Sequence, residues 1–383
     1  MRTDLPALLI DTLSLGGPLP RERTELWAAP ATRAVEDLIR LEGAGAWLYR
    51  RWRDAGCGEA IVGPLHSTIR IRALAEMGST LNVESAAVEA LGVLTQAGLE
   101  VVLLKGLAYR AAARSYPYLD ARSTNDIDAL VAPPEADAAW RALRSAGFVP
   151  IPTPAFQRPA DHHHLEGLAS SQGVTIELHT STSPTRPPEE AWKRVRGSAE
   201  RKDWNGMSVL VPSATEMLWH AVEHSFTHGA SGFSLRQFLP GAALLAARAP
   251  IDVDLIQHRA ASDRLREEDG NRAVSAAAVR QWLAMTGALA GLDSLPTPWQ
   301  GGYDPLWRLL TWRLALLRQL PVESRLKSYL FEQGTRAEVG LTPVYSTSHP
   351  SFSHRARYRT LASLSRLAYA LLRPRRRAER QSI

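Results

Sequence analysis

A chain with one cysteine cannot build a metal site from sulfur. Cys57 stands alone among 383 residues, which excludes an intrachain disulfide framework and a cysteine-based zinc site. Long apolar runs are missing too, since no window approaches the roughly 20 residues that a membrane-spanning helix needs. The opening MRTDLPALLIDTLSLGG carries Asp4 and Asp11 inside its apolar stretch, an interruption that argues against a signal peptide. The expected location is the cytoplasm. The zinc-protease pattern HExxH is also absent, because Glu223 precedes His224 instead of following His220.

What is present is ordinary for a globular protein: 45% hydrophobic residues, 22% charged, and a net charge of +6. Much of the positive excess lies in the terminal RLAYALLRPRRRAER. This reads as a solvated basic tail, with contact to an acidic partner, nucleic acid or a membrane surface as the alternative.

Hydrophobic periodicity divides the chain into three regions. Residues 1–98 read as an N-terminal helical region, with apolar positions three and four apart in ATRAVEDLIRLEGAGAWLYRRWRDAG and VESAAVEALGVLTQAG. Residues 99–212 read as a small α/β unit. LEVVLL is a buried strand, LAYRAAARS a helix, YPYLDARSTN a loop, DIDALV a second strand and EADAAWRALRSAG a helix. DHHHLEGL, GVTIELHT and MSVLV complete the strands. Residues 213–383 read as a C-terminal helical region opened by the capping box Ser213-Ala214-Thr215-Glu216, with GLTPVYSTSHPSFSH as a loop before the last helix.

The strand DIDALV places two acids where burial is expected. Residues i and i+2 of a strand share a face, so Asp126 and Asp128 stand side by side while Ile127 and Ala129 turn to the packed side. Paired carboxylates repel unless a cation lies between them, and hard oxygen ligands suit magnesium or manganese. Glu177, between apolar neighbours in TIELH, supplies a third carboxylate that could accept a proton or hold a second metal. Lys105-Gly106 falls where a strand turns into a helix. The glycine admits a phosphate to the helix N-terminus and the lysine adds a point charge. The partner expected for Asp126 and Asp128 is a metal–triphosphate complex.

The ordered set VVLLKG, DIDALV, HHHL and IELH resembles the polymerase-beta-like nucleotidyltransferases, and more narrowly the group described as uncharacterised nucleotidyltransferases, over roughly residues 30 to 245. The resemblance implies a minimal α/β (α+β) core with a mixed sheet, flanked by N-terminal and C-terminal helical regions. It implies transfer of a nucleoside monophosphate from a nucleoside triphosphate, ATP among the candidates, to an acceptor with release of pyrophosphate. Asp126 and Asp128 then correspond to the metal-binding pair and Glu177 to the third carboxylate. A small molecule, a peptide or protein, and an RNA end all remain open as acceptors. The rival reading is a member of the same fold that binds nucleotide or a partner without turnover. Two departures stand out: Leu107 follows Lys105-Gly106, where the broader superfamily has Ser or a second Gly after its first Gly, and Pro240-Gly241 follows LRQFL, where relatives tend to carry an aspartate.

Further residues invite roles. Arg122, whose guanidinium suits phosphate geometry, and Asn125 precede the acid pair, and Arg236 has a weaker case. His162 and His164 would share a strand face near Glu177 and His179, while His220, His224 and His228 recur every four residues on one helix face. Lining the cleft, with His179 near the nucleotide, is preferred to a dedicated zinc site, with core packing as the alternative for the His220 helix.

Overall fold

The computed structural model of the chain describes residues 4–28, 33–151, 163–184, 186–227, 233–262, 274–291 and 303–319. The basic tail, the loop before the last helix, that helix itself, His162 and His228 lie outside the described residues.

Among the described residues, seven strands form one mixed sheet: β1 (Val101–Leu103), β2 (Asp126–Val131), β3 (Val149–Pro150), β4 (Leu168–Ala169), β5 (Thr175–His179), β6 (Glu200–Trp204) and β7 (Met207–Val211). Their order across the sheet is β3-β4-β5-β2-β1-β7-β6. β1 runs antiparallel to β2 and parallel to β7, while β2 and β5 are parallel neighbours at the centre. The expected α/β core with a mixed sheet is therefore present.

Two strands escape the sequence reading. β3 is two residues long and ends in a proline, which has no N–H to add to a ladder. β6, ERKDW, is polar and sits at the sheet edge, where charged residues discourage pairing with a further chain. It forms a hairpin with β7 through Asn205 and Gly206, both at positive φ (50° and 76°), the conformation a two-residue hairpin turn demands. Conversely, DHHHLEGL yields only Leu168 as strand, with His164 making an isolated bridge to His179.

The alternation of β2 decides where chemistry can occur. Ile127, Ala129 and Val131 join Leu103, Ile176, Leu178, Val209 and Val211 in the main core. The opposite face carries Asp126 and Asp128, then a small apolar patch of Val102, Leu104, Leu130 and Leu210 covered by Val195 of the Pro188–Gly197 helix. One apolar cluster runs through both helical regions and the sheet, joining Leu9, Trp47, Ile127, Trp219 and Leu310.

The helices depart from expectation at their ends. The segment expected as one helix near residue 40 divides into Arg33–Leu41 and Gly45–Asp54, because Gly43 adopts a left-handed φ of 61°. At the next boundary only half of the capping box forms. Ser213 Oγ accepts from Glu216 N at 3.3 Å, but the Glu216 carboxylate turns away to Arg259 and Arg194. Two arginines outweigh one backbone N–H for a buried carboxylate. Pro240 and Gly241 lie inside the Leu235–Ala246 helix. A Cβ on Gly241 would come within 2.8 Å of Leu218 Cδ1 and 2.9 Å of Thr286 Cγ2. A side chain at position 241 would therefore require Leu218 and Thr286 to shift.

Candidate active site

Strand pairing assembles the acidic face. In the parallel β2–β5 pair Asp128 lies opposite Glu177 and Leu130 opposite His179, and register partners project from the same face. The β1–β2 pairing brings the next element in, since Leu104 N donates to Asp128 O at 2.9 Å. The chain then turns at Lys105, which holds a left-handed φ of 45°. That conformation costs a side-chain-bearing residue on the order of 1 to 3 kcal/mol, and it aims the ammonium back at β2.

The visible partner of Asp128 is consequently a lysine. Lys105 Nζ lies 2.6 Å from Asp128 Oδ1 and His179 Nε2 lies 2.7 Å from the same oxygen. His179 Nε2 also stands 3.6 Å from Glu177 Oε2. Burial would push the Asp128 carboxyl up, but Lys105 and His179 overcome it and hold the group far below the usual carboxylate range. The hydrogen bond from His179 likewise lowers Glu177. Burial and the neighbouring Lys105 charge oppose protonation of His179, yet its bonds to Asp128 and Glu177 raise it. Asp126 moves the other way: burial and the nearby Asp128 charge raise it.

These donors fit a divalent cation. Asp128, Glu177 and His179 each present a ligand atom, all within 4.8 Å of one another. Asp128 Oδ2 and His179 Nδ1 are buried without a hydrogen-bond partner, a cost native structures rarely leave unmet. Two carboxylates and an imidazole suit several divalent metals. The expected triad was Asp126, Asp128 and Glu177. Asp126 shares the face, but His179 completes the compact group, a membership that the i+2 spacing from Glu177 already signalled.

The other expected residues distribute around this centre. Gly106 is buried, and a Cβ there would fall on Thr124 Cβ and Oγ1. Its smallness therefore seats the Lys105–Ala112 helix against the loop before β2, a demand separate from phosphate approach. Thr124 Oγ1 in turn donates to Asp126 O at 3.0 Å. Arg122 is buried and Asn125 exposed at the start of β2. The His163 and His164 rings pack 5.2 and 5.4 Å from that of His179. Burial pushes His163 down to about 2 and His220 to about 3, so both rings are neutral at ordinary pH. His220 lies close enough for the Lys105 and Asp128 charges to act on it.

The family model described as uncharacterised nucleotidyltransferase matches residues 32–271. The chain belongs to this family. No curated protein and no solved structure gives a match. The matched stretch holds every strand of the sheet and the acidic face, so family membership and site geometry concern the same part of the chain. No helix among the described residues is long and apolar enough to cross a membrane.

Proposed function

We propose that the protein transfers a nucleoside monophosphate from a nucleoside triphosphate to an acceptor hydroxyl and releases pyrophosphate. The observation that carries this reading is the buried, unpartnered Asp128 Oδ2 inside a two-carboxylate, one-imidazole group. Asp128, Glu177 and His179 would hold a divalent cation, magnesium or manganese, with Asp126 beside them on the same face. When bound, such a cation neutralises phosphate charge and polarises the phosphorus.

The chain's own groups account for the rest. The acceptor oxygen bonds to the α-phosphorus as the bond to pyrophosphate breaks, and a carboxylate not engaged with the cation accepts the hydroxyl proton. Lys105 exchanges part of its contact with Asp128 for the triphosphate, which the helix N-terminus behind Gly106 faces. Arg122 and Asn125 border the same entry to β2. Neutral imidazoles at His163 and His220 border the site without adding positive charge.

The test supplies purified protein with each labelled triphosphate, magnesium or manganese, and a panel of hydroxyl-bearing small molecules, peptides and RNA ends. Labelled acceptor with stoichiometric pyrophosphate is the expected result. Tight triphosphate binding with no turnover on any acceptor or on water would instead support the binding-only reading.

A further inference from the structure

Two guanidinium groups meet at one carbonyl beside the acidic strand. Arg122 Nη1 donates to Ser123 O, and Arg236 Nη2 donates to the same oxygen at 3.2 Å. Arg122 is 7% exposed, and the Nε atoms of both arginines are buried without a hydrogen-bond partner. Among the described residues, neither guanidinium has a carboxylate within ion-pair distance. Burying like charges together is costly unless an anion meets them, and arginine does not escape the cost by losing its proton at neutral pH.

The Asp126 and Asp128 charges act on Arg122 from beyond ion-pair distance, and the nearer acids of the surroundings are engaged elsewhere. Glu42 is the carboxylate beside Arg236 in the fold, because Arg236 N donates to Glu42 O at 2.8 Å. Its side chain is already used: Oε1 accepts from Arg313 Nη1, and Oε2 from Leu235 N at 3.0 Å. Gly43 leaves space for the arginine stem, since a Cβ there would come 2.9 Å from Arg236 Cβ. Asp128 is committed to Lys105 and His179.

We propose that Arg122 and Arg236 form an anion site for the pyrophosphate end of the triphosphate, with Arg236 supplied by a helix outside the α/β unit. This rests on the nucleotidyltransferase reading for the identity of the ligand. Planar, forked donors suit phosphate oxygens better than a point charge does. The site lies just before Asp126, so β- and γ-phosphates held there would leave the α-phosphorus over the carboxylates. The loop at Gly43 and the Leu235–Ala246 helix thereby join the sheet in gripping one ligand.

Calorimetry on the full chain tests this with inorganic pyrophosphate in chelator, then with nucleoside triphosphate and monophosphate in magnesium. Wild type should bind pyrophosphate without metal. Arg236→Gln should weaken pyrophosphate and triphosphate binding about 10- to 100-fold while leaving monophosphate binding unchanged. Arg236→Lys, which keeps the charge and is the control should the Gln variant fold poorly, should lie between. Wild type that ignores pyrophosphate would overturn the proposal. So would Arg236 variants that bind all three ligands normally with a lower melting temperature, which would make the pair a brace for Ser123. Equal loss of monophosphate and triphosphate would overturn it too, by placing the contact elsewhere on the nucleotide. Failure of wild type to transfer any nucleotide sinks the catalytic reading independently, since the metal-free arm reads anion binding and not turnover, and the Arg236 variants separate the arginine pair from Lys105.

Discussion

Asp128 and Glu177 face each other across the parallel pairing of β2 with β5. Neighbouring strands are about 4.8 Å apart, so the pairing register alone sets two carboxylates side by side. A slip of one residue would exchange Glu177 for Ile176 or Leu178 and turn the acid into the core. Those two leucine and isoleucine side chains are 1% exposed, and their burial is what locks the register. Packing on one face thus fixes the chemistry of the other.

Asp126 and Asp128 should respond differently to neutralisation. Asp126→Asn removes a half-buried acid that has no ion pair among the described residues, so nucleotidyl transfer should fall to background with little change in melting temperature. Asp128→Asn leaves Lys105 without its buried counter-ion. Breaking such a pair costs about 3–5 kcal/mol, so stability and transfer should both fall. Pyrophosphate release and thermal melts measured on the same preparations check this. Wild-type transfer by either variant would remove the acid pair from the mechanism.

Lys105→Met keeps much of the aliphatic stem and removes the charge. Two losses are expected together: triphosphate use about 10- to 100-fold weaker, from the missing charge-assisted contact, and a lower melting temperature, because Asp128 keeps only His179. Adding triphosphate and metal to wild type should raise its melting temperature more than it raises that of the variant. An equal rise in both would restrict Lys105 to bracing Asp128.

Much of this arrangement was legible in local pattern. DIDALV gave β2 with its bounds intact, and period-two alternation put Asp126 and Asp128 on one face. Local pattern does not encode which strands become neighbours, however. The Lys105–Asp128 contact depends on β1 lying beside β2, and no residue of either strand announces that order. Arg236 reaches Ser123 from 113 positions away, which only the packed fold brings about. β6 was hidden by its charges, although Asn205-Gly206 was a hairpin signal in plain view. The single helix expected near residue 40 broke because Gly43 serves a tertiary need, room for Arg236, that outranks helix periodicity.

Gly106→Ala tests the seat of the Lys105–Ala112 helix. The added methyl would overlap Thr124 Cβ and Oγ1, and overpacking of this kind costs about 1–3 kcal/mol. Relief requires the helix or the Thr124 loop to move, and that loop leads directly into Asp126. A melting temperature lower by several degrees is expected, with metal-dependent triphosphate binding reduced. An unchanged melting temperature would mean that the contact between this helix and Thr124 is looser than the structure shows.

Acid stability should depend on Glu223, which lies fully buried behind the site. Its carboxylate accepts from Arg186 Nη2 at 2.8 Å, Arg194 Nη2 at 3.2 Å, Thr182 Oγ1 at 2.8 Å and Trp219 Nε1 at 2.9 Å. Burial alone would raise its pKa, but the two arginines reverse this and lower it from 4.5 to about 2. A carboxylate depressed in the folded state binds its proton more readily when unfolded. Its contribution is therefore complete above pH 4.5 and fades as pH falls from there toward 2. A gap of that size corresponds to on the order of 3 kcal/mol. Urea unfolding of wild type and Glu223→Gln from pH 7 to pH 3 measures it directly. The variant should be less stable at pH 7, and the difference should shrink steadily below pH 4.5. A difference that stays constant down to pH 3 would mean that the pairing with Arg186 and Arg194 does not hold Glu223 ionised, and packing alone would then account for the loss.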